Sequence, residues 1–464
     1  MKKLSLSALL AAGVLAGGMT SANAADLGGN CCADLEERIA ELEATTARKG
    51  NRKVSLTISG WVVQQITFWD DGRETNAYVS DAGDTLASHV KFTGSAQITS
   101  DWSAGYVLHI EAISNEPLAY TADVATVRGS GNPGGVGVYQ SFWFLKSAQL
   151  GKLSIGLQSG AVDNQAILPD ASGSLIPANY VLFEGANFAV IRSSDPTKTR
   201  STAGTVWGSF ASCATGQNVG AAADCELVPT NNVRYDTPTL GGFSGSASWG
   251  EDDEWGLSAR YAGEFSSFKV SGAFGYFNTN SNRINGNGVP HDFFNNSFRR
   301  QNDSIQFGGY IQHVPTGLFF YGAYGKEFND GLVSAAEIAA QGGANKQDGD
   351  NFYLKAGIRQ KWSSLGHTVL FGEYGENHDK DTIALYNGGV SSTQLSQWGL
   401  GVVQEIDAAA ISTWFLYRNY SADQTCRATA GNSDCVAQFG VGGLGGKVSF
   451  RDIDTFKVGG LINF

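Results

Sequence analysis

The chain has 464 residues, a formal net charge of −12 and only 16% charged residues, together with 60 glycines, 26 phenylalanines and 16 tyrosines. An acidic chain offers no basic surface for nucleic acid, and soluble domains carry more charge, with about 25% of residues charged. Beyond residue 24, no run of about 18 apolar residues predicts a membrane-spanning helix. The composition is typical of a transmembrane β-barrel, in which apolar and polar side chains alternate.

The first 24 residues predict a secretory signal peptide. Two lysines form a basic start, an apolar stretch follows, and Ala22-Asn23-Ala24 matches the small-residue pattern of a cleavage site. We therefore expect residues 1–24 to be removed on export, and residues 25–53 to form a separate periplasmic segment at the N-terminus.

Within that segment, residues 33–45 predict a short helix, because Leu35, Ile39 and Leu42 recur at spacings of four and three. Two interpretations of this helix stay open. It is either part of a small coiled coil in which the N-termini of several chains meet, or a solitary helix at the surface.

Residues 54–464 alternate apolar and polar side chains with a period of two, which predicts sixteen antiparallel strands closed into a transmembrane β-barrel. An even number of strands places both ends of the barrel on one side. Short periplasmic turns then lie on that side and long extracellular loops on the other. The predicted strands cover residues 54–69, 90–99, 106–113, 138–148, 152–160, 232–236, 243–250, 255–262, 268–277, 304–313, 318–326, 352–361, 367–373, 395–406, 411–420 and 455–464.

The alternation also predicts which face of each strand meets water. Between Phe352 and Arg359, apolar residues share one face, whereas Lys355 and Arg359 share the other. A cation facing lipid at mid-depth costs about 2–4 kcal/mol, so we expect these bases to face a water-filled lumen. Sixteen strands also enclose more space than side chains can fill. The bases assigned to the pore wall are Lys91, Arg234, Arg260, Lys269, Lys355, Arg359 and Lys457.

The connection from Ala161 to Thr230 is much longer than the roughly 12–15 residues beyond which structureless loops are usually functional. We expect this third loop to fold into the barrel, where its carboxylates would face the basic wall across water and act on passing solutes. The alternative is an outward loop whose acids are merely solvated. The acids assigned to the constriction are Asp163, Asp170, Glu184 and Asp195.

Six cysteines in an exported chain favour disulfides. Cys213 with Cys225, and Cys426 with Cys435, are close in sequence, so each pair is predicted to clip one loop. No histidine or further cysteine pair lies near them at ligand spacing, so no metal site is expected there. The role of the adjacent pair Cys31-Cys32 stays open.

Four segments carry a resemblance to a known family. They are Asp34–Thr45, Val54–Trp61, Trp69–Gly72 and Phe456–Phe464. These segments resemble the alphaproteobacterial porin family of outer-membrane general-diffusion porins. The resemblance implies a homotrimer of sixteen-stranded barrels, each with its own pore and an inward third loop. It also implies that the aromatic residue Phe464 is the signal read by the barrel-assembly machinery.

These patterns predict a porin, a channel for passive diffusion of small hydrophilic solutes and ions across the cell outer membrane. We expect contact with outer-membrane lipid and lipopolysaccharide, and no cofactor. An enzyme is not expected, because the six histidines are scattered and the sequence holds no motif for a catalytic serine or a metalloprotease zinc. The nearest alternative is a solute-specific channel with a saturable binding site. Acidic loops favour cations and the basic wall favours anions, so ion preference stays open.

Overall fold

The computed structural model describes residues 54–464 with several gaps. The gaps are residues 84–85, 116, 118–119, 125–134, 180, 182–183, 203–204, 212–228, 251–253, 280–301, 329–347, 379–389 and 427–432. The predicted signal peptide, the helix at 33–45, Cys31-Cys32 and the pair Cys213 and Cys225 therefore lie outside the described residues.

In the part of the chain that the structure describes, eighteen antiparallel strands form one sheet that closes on itself. The first strand pairs with the last one along ten residues, from Trp61 opposite Asn463 to Asp70 opposite Asp454. The strands are β1 (Thr57–Asp70), β2 (Thr75–Ser80), β3 (Ser88–Gln97), β4 (Trp102–Ile113), β5 (Gly135–Ser147), β6 (Gly151–Gln158), β7 (Thr230–Asp236), β8 (Phe243–Gly250), β9 (Trp255–Phe265), β10 (Phe268–Thr279), β11 (Asn302–His313), β12 (Leu318–Phe328), β13 (Gly349–Gln360), β14 (Thr368–His378), β15 (Val390–Ile406), β16 (Ile411–Cys426), β17 (Gly446–Ser449) and β18 (Ile453–Asn463).

Two short strands share a barrel position with a neighbour. Strand β2 pairs with the C-terminal part of β1, and β3 pairs with the N-terminal part of the same strand. Likewise, β17 pairs with the C-terminal end of β16, while β18 pairs with the part that precedes it. The eighteen strands therefore occupy 18 − 2 = 16 positions, which confirms the predicted sixteen-stranded barrel.

Several strands extend farther than the sequence predicted. Strand β14 ends at His378 rather than Glu373, and β16 ends at Cys426 rather than Tyr420. The added residues of β14, such as Asn377, are polar on both faces, so the alternation of hydropathy did not mark them. They are held instead by ladder hydrogen bonds to the adjacent strands, which continue beyond the apolar belt.

The outer surface of the barrel is apolar and the inner surface is polar. On β1, for example, Ile66 and Phe68 are exposed on the outside, whereas Gln65 and Thr67 are buried on the inside. An apolar belt around a closed barrel matches a lipid bilayer, and closure leaves no sheet edge with unpaired backbone groups in that bilayer.

Helical structure is short wherever the chain is described. The segments include α1 (Ser433–Phe439) and two 3-10 turns, Trp207–Phe210 and Asp407–Ala409. None of the described helices is long and apolar enough to cross a membrane.

Candidate functional site in the barrel lumen

The long connection between β6 and β7, residues 159–229, lies inside the barrel over its described part, and we call it the third loop. Starting from the end of β6, it contacts the inner faces of β9 to β13 and then those of β16, β18 and β1. The inward course predicted from the loop's length is therefore present in the fold.

Two glycines on the inner wall let the start of the loop come close, and we call them the glycine cradle. A Cβ atom at Gly275 would lie 2.6 Å from Cγ1 of Val162, and one at Gly308 would overlap the backbone oxygen of Ala166. That oxygen accepts a hydrogen bond of 2.5 Å from the Tyr321 hydroxyl. At these two positions, the loop therefore occupies the space that a wall side chain would otherwise fill.

Lys355 on β13 holds the loop at two points. Its ammonium group donates hydrogen bonds to the Asp170 carboxylate at 2.5 Å and to the backbone oxygen of Ala178 at 2.7 Å. Both charged side chains are 0% exposed. Burying an ion costs several kcal/mol unless opposite charge and hydrogen bonds compensate, and the loop supplies both to Lys355.

Glu184 lies between two bases of the wall. Lys457 on β18 donates to its carboxylate and, at 2.9 Å, to the backbone oxygen of Pro177. Arg418 on β16 reaches the other carboxylate oxygen at 3.3 Å and bonds Glu373 on β14 at 2.5 and 3.0 Å. The part of the loop around Glu184 is thus attached to strands that lie next to the closure of the barrel.

We call these six side chains the lumen ion cluster. Its bases are Lys355, Arg418 and Lys457, and its acids are Asp170, Glu184 and Glu373. The formal charges cancel, because three bases face three acids. The expectation that Asp170 and Glu184 face the wall bases across water is therefore wrong in its geometry. The loop packs directly on the wall, and a buried contact pair retains far more electrostatic attraction than a pair separated by water.

The other two predicted acids lie away from this cluster. Asp163, near the start of the loop, is buried and accepts a hydrogen bond of 2.6 Å from Asn164. Asp195 stabilises a turn of the loop itself, because its carboxylate accepts bonds from the Thr197 hydroxyl at 2.6 Å and from the Thr199 backbone at 3.0 Å. Hydrogen bonds from Thr197, and then Thr199, lower the pKa of Asp195 to about 2.

The remaining predicted bases also face the lumen, and each lies beside a polar partner. Arg234 bonds Asp236 and the backbone oxygen of Gly160, Arg260 bonds Gln165, Arg359 forms a two-oxygen pair with Glu405, Lys269 lies 3.4 Å from Glu264, and Lys91 lies opposite His109 in the ladder. Lys91 and Arg234 belong to the wall from β3 to β7, whereas the lumen ion cluster belongs to the wall from β13 to β18. The ion pairs that hold the loop therefore lie on the β13–β18 side of the lumen.

The connections that follow β1 and β4 hold the part of the third loop around Arg200. Arg200 bonds Asp71 at 2.8 Å, Glu74 at 3.2 Å and Asp123 at 2.8 Å. These acids belong to the connections that follow β1 and β4. One guanidinium group thus joins the third loop to both of the preceding outer connections.

The predicted disulfide between Cys426 and Cys435 is present and joins the end of β16 to α1. Helix α1 contacts the third loop, because Asp434 accepts a hydrogen bond of 2.7 Å from the Ser201 hydroxyl. The disulfide therefore fixes the position of a helix against which the loop packs.

Two members of the lumen ion cluster were absent from the sequence prediction. Arg418 shares the inner face of β16 with Trp414 and Leu416, so that face showed no polar pattern. Glu373 was the last residue of its predicted strand, so the sequence did not decide whether its side chain faces the lumen or the lipid. A stricter count of alternate positions from Trp414 would have placed Arg418 inside.

No protein-family model and no curated protein matches the chain. Among solved structures, it is similar to an anion-selective porin from Comamonas acidovorans, with 14% identity, a TM-score of 0.50, and coverage of 89% of this chain and 100% of that one. Also similar is a loop L8 deletion mutant of OmpT, an outer membrane protein of Vibrio cholerae, with 11% identity, a TM-score of 0.48, and coverage of 89% and 100%. A third is Salmonella typhi OmpF in complex with daunomycin, with 13% identity, a TM-score of 0.46, and coverage of 90% and 99%. The similarity with a TM-score of 0.50 concerns the fold, which is that of a multi-pass outer-membrane β-barrel.

Proposed function

We propose that the chain is a porin that lets small hydrophilic solutes and ions diffuse passively across the outer membrane. The observation that carries this proposal is a closed barrel of sixteen positions with charged side chains inside and a long loop that buried ion pairs hold on the inner wall. A barrel of this size leaves an interior too wide for wall side chains to fill. The proposal assigns no catalytic step to the chain.

The proposed water path runs between the third loop and the wall from β3 to β7. Lys91 and Arg234 belong to that wall, and Arg260 lies where the loop first meets the barrel. Screening by water keeps such charges from stabilising the fold strongly, so their effect is on which solutes pass. The lumen ion cluster, in contrast, positions the loop and adds no net charge to the path.

The proposed assembly is a homotrimer in the outer membrane, in contact with lipid and lipopolysaccharide, with Phe464 as the residue read by the barrel-assembly machinery. Its support is the family resemblance of the segments quoted above. Chemical cross-linking of the purified protein in detergent tests this assembly. A trimer band is the expected result, and a monomer under all cross-linking conditions would contradict it.

Planar-bilayer recording of the purified protein tests the channel itself. Stepwise, ohmic current increases are expected on insertion, and an intact barrel that inserts without conductance would refute the porin. Liposome swelling with sugars of increasing size then tests the mode of transport. A rate proportional to concentration supports general diffusion, whereas saturation by one solute would favour the solute-specific channel.

A further inference from the structure

Two histidines and a glutamate meet on the inner face of the wall, away from the lumen ion cluster. His89 lies on β3, opposite the inward-facing Trp61 of β1. His109 and Glu111 lie two residues apart on β4 and share one face, and Glu111 is directly opposite His89. The three side chains are 4–6% exposed, so they form a buried cluster.

His109 is the unusual member of this group. Both of its ring nitrogens are buried, and neither makes a hydrogen bond to any described residue. Leaving a buried polar group without a hydrogen-bond partner destabilises the folded protein. Its Nε2 atom lies 3.9 Å from Oε1 of Glu111, which is beyond hydrogen-bond distance, and its ring centre lies 4.2 Å from that of His89. A cation between the three groups would bind the nitrogen lone pair that the protein leaves unused.

The spacing of the three groups fits a metal ion after small side-chain rotations. One ligand atom from each residue lies within 4.8 Å of the other two. Bonds of 2.0–2.2 Å to zinc place tetrahedral ligand atoms roughly 3.3 Å apart, so the ligands need to close by about 1.5 Å. Nδ1 of His89 already lies 3.3 Å from the backbone oxygen of Ala87. A histidine that uses one nitrogen in this way presents the other nitrogen to a metal in a fixed orientation.

We propose that His89, His109 and Glu111 bind one divalent transition-metal ion, of which Zn²⁺ is the test case. Two imidazoles and one carboxylate suit zinc, cobalt, nickel or copper, whereas magnesium and calcium prefer a full set of oxygen ligands. Three protein ligands leave a fourth position for water. Lys91 lies opposite His109 in the same ladder, and its positive charge opposes the ion.

Calorimetric titration of the whole purified protein in detergent with Zn²⁺ tests the site without reference to transport. Saturable binding of one ion per chain is expected, and His109→Gln is expected to weaken it at least 10-fold. Lys91→Gln is expected to tighten it, because this change removes the opposing charge. His313→Gln is the matched control, since His313 lies at the end of β11, outside this group.

The absence of saturable Zn²⁺ binding by the wild-type protein would overturn the proposal. Equal affinities of wild type and His109→Gln would also overturn it. If His109→Gln fails to fold, Co²⁺ added to the wild-type protein decides instead, because its visible absorption reports nitrogen and oxygen ligands directly. A four-coordinate spectrum that Zn²⁺ abolishes is expected, and a spectrum identical to that of hydrated Co²⁺ would contradict the site.

Discussion

At the scale of single residues, exposure decides what an ion pair contributes. Lys355 and Asp170 are 0% exposed, whereas Lys361 and Asp407 form a similar lysine–aspartate pair that is about half exposed. Water already solvates the exposed pair, so its attraction adds little to stability. In the buried pair, each charge depends on the other one to offset the loss of water.

The change Asp170→Asn is therefore expected to lower the free energy of unfolding by about 3 kcal/mol, because it leaves the Lys355 ammonium group buried without its counter-charge. The matched change Asp407→Asn is expected to cost about 0–1 kcal/mol. Urea titration of the folded barrel in lipid vesicles, followed by tryptophan fluorescence, measures both. Similar losses for the two variants would show that burial of the Lys355–Asp170 pair carries no special weight.

The sequence was informative about residues that face lipid or lumen and uninformative about their partners. Alternation along β13 placed Lys355 inside without any structure, because a charge in lipid is costly. It did not show that Asp170, 185 residues away, would touch it. Pairing across such a separation depends on how the third loop packs on the wall, and no local pattern in the sequence records that packing.

At the scale of elements, the third loop depends on the shape of the wall as much as on charge. Gly308 faces the loop, and its neighbour in sequence, Gly309, faces the lipid. The glycine-rich composition was one of the features that favoured a barrel, but it did not show which glycines contact the loop. The backbone of the loop at Ala166 comes close to the wall because Gly308 carries no side chain.

These two glycines make a matched test. Gly308→Ala puts a methyl group into the backbone of Ala166 and is expected to cost about 1–3 kcal/mol, as overpacking usually does. Gly309→Ala places its methyl group 3.4 Å from the Phe307 ring and is expected to be nearly neutral. Limited proteolysis of the folded protein measures release of the loop. Equal cleavage of the loop in both variants would contradict a specific cradle.

The disulfide is predicted to act locally. Reduction of Cys426–Cys435 removes a cross-link over nine residues, which the chain-entropy model rates at about 2–3 kcal/mol. Since α1 contacts the loop at Ser201, faster amide exchange is expected in residues 190–201 and 433–439. Exchange in residues 163–170, next to the glycine cradle, is expected to stay unchanged and serves as the internal control. Faster exchange throughout the barrel strands would indicate a global role instead.

At the scale of the whole molecule, the lipid bilayer determines which side chains face outward and which face the lumen. Leu354 is 39% exposed on the lipid face, one residue from the buried Lys355. The period of two and the strand number were predictable because the bilayer acts on every strand alike. The lengths of the outer connections were not, since their polar residues meet water on both faces.

The change Leu354→Lys places an ammonium group on the lipid side of β13, next to the one that Lys355 places inside the barrel. It is expected to lower the free energy of unfolding in vesicles by about 2–4 kcal/mol, the cost of a cation at mid-depth in lipid. Leu354→Ala is the control, because it removes apolar area without adding charge. The difference between the two variants, measured by urea titration, reports the cost of charge in lipid. Equal losses would place Leu354 outside the apolar belt.

The attachment of the third loop to β13, β14, β16 and β18 also has a consequence for the order of assembly. The loop precedes these strands in the chain, so Asp170 and Glu184 lack their lysine partners until β13 and β18 have folded beside the loop. Lys457 lies on the strand that closes the barrel against β1, so its contact with the loop and the closure of the barrel depend on the same strand. The final position of the loop is thus coupled to sealing of the cylinder.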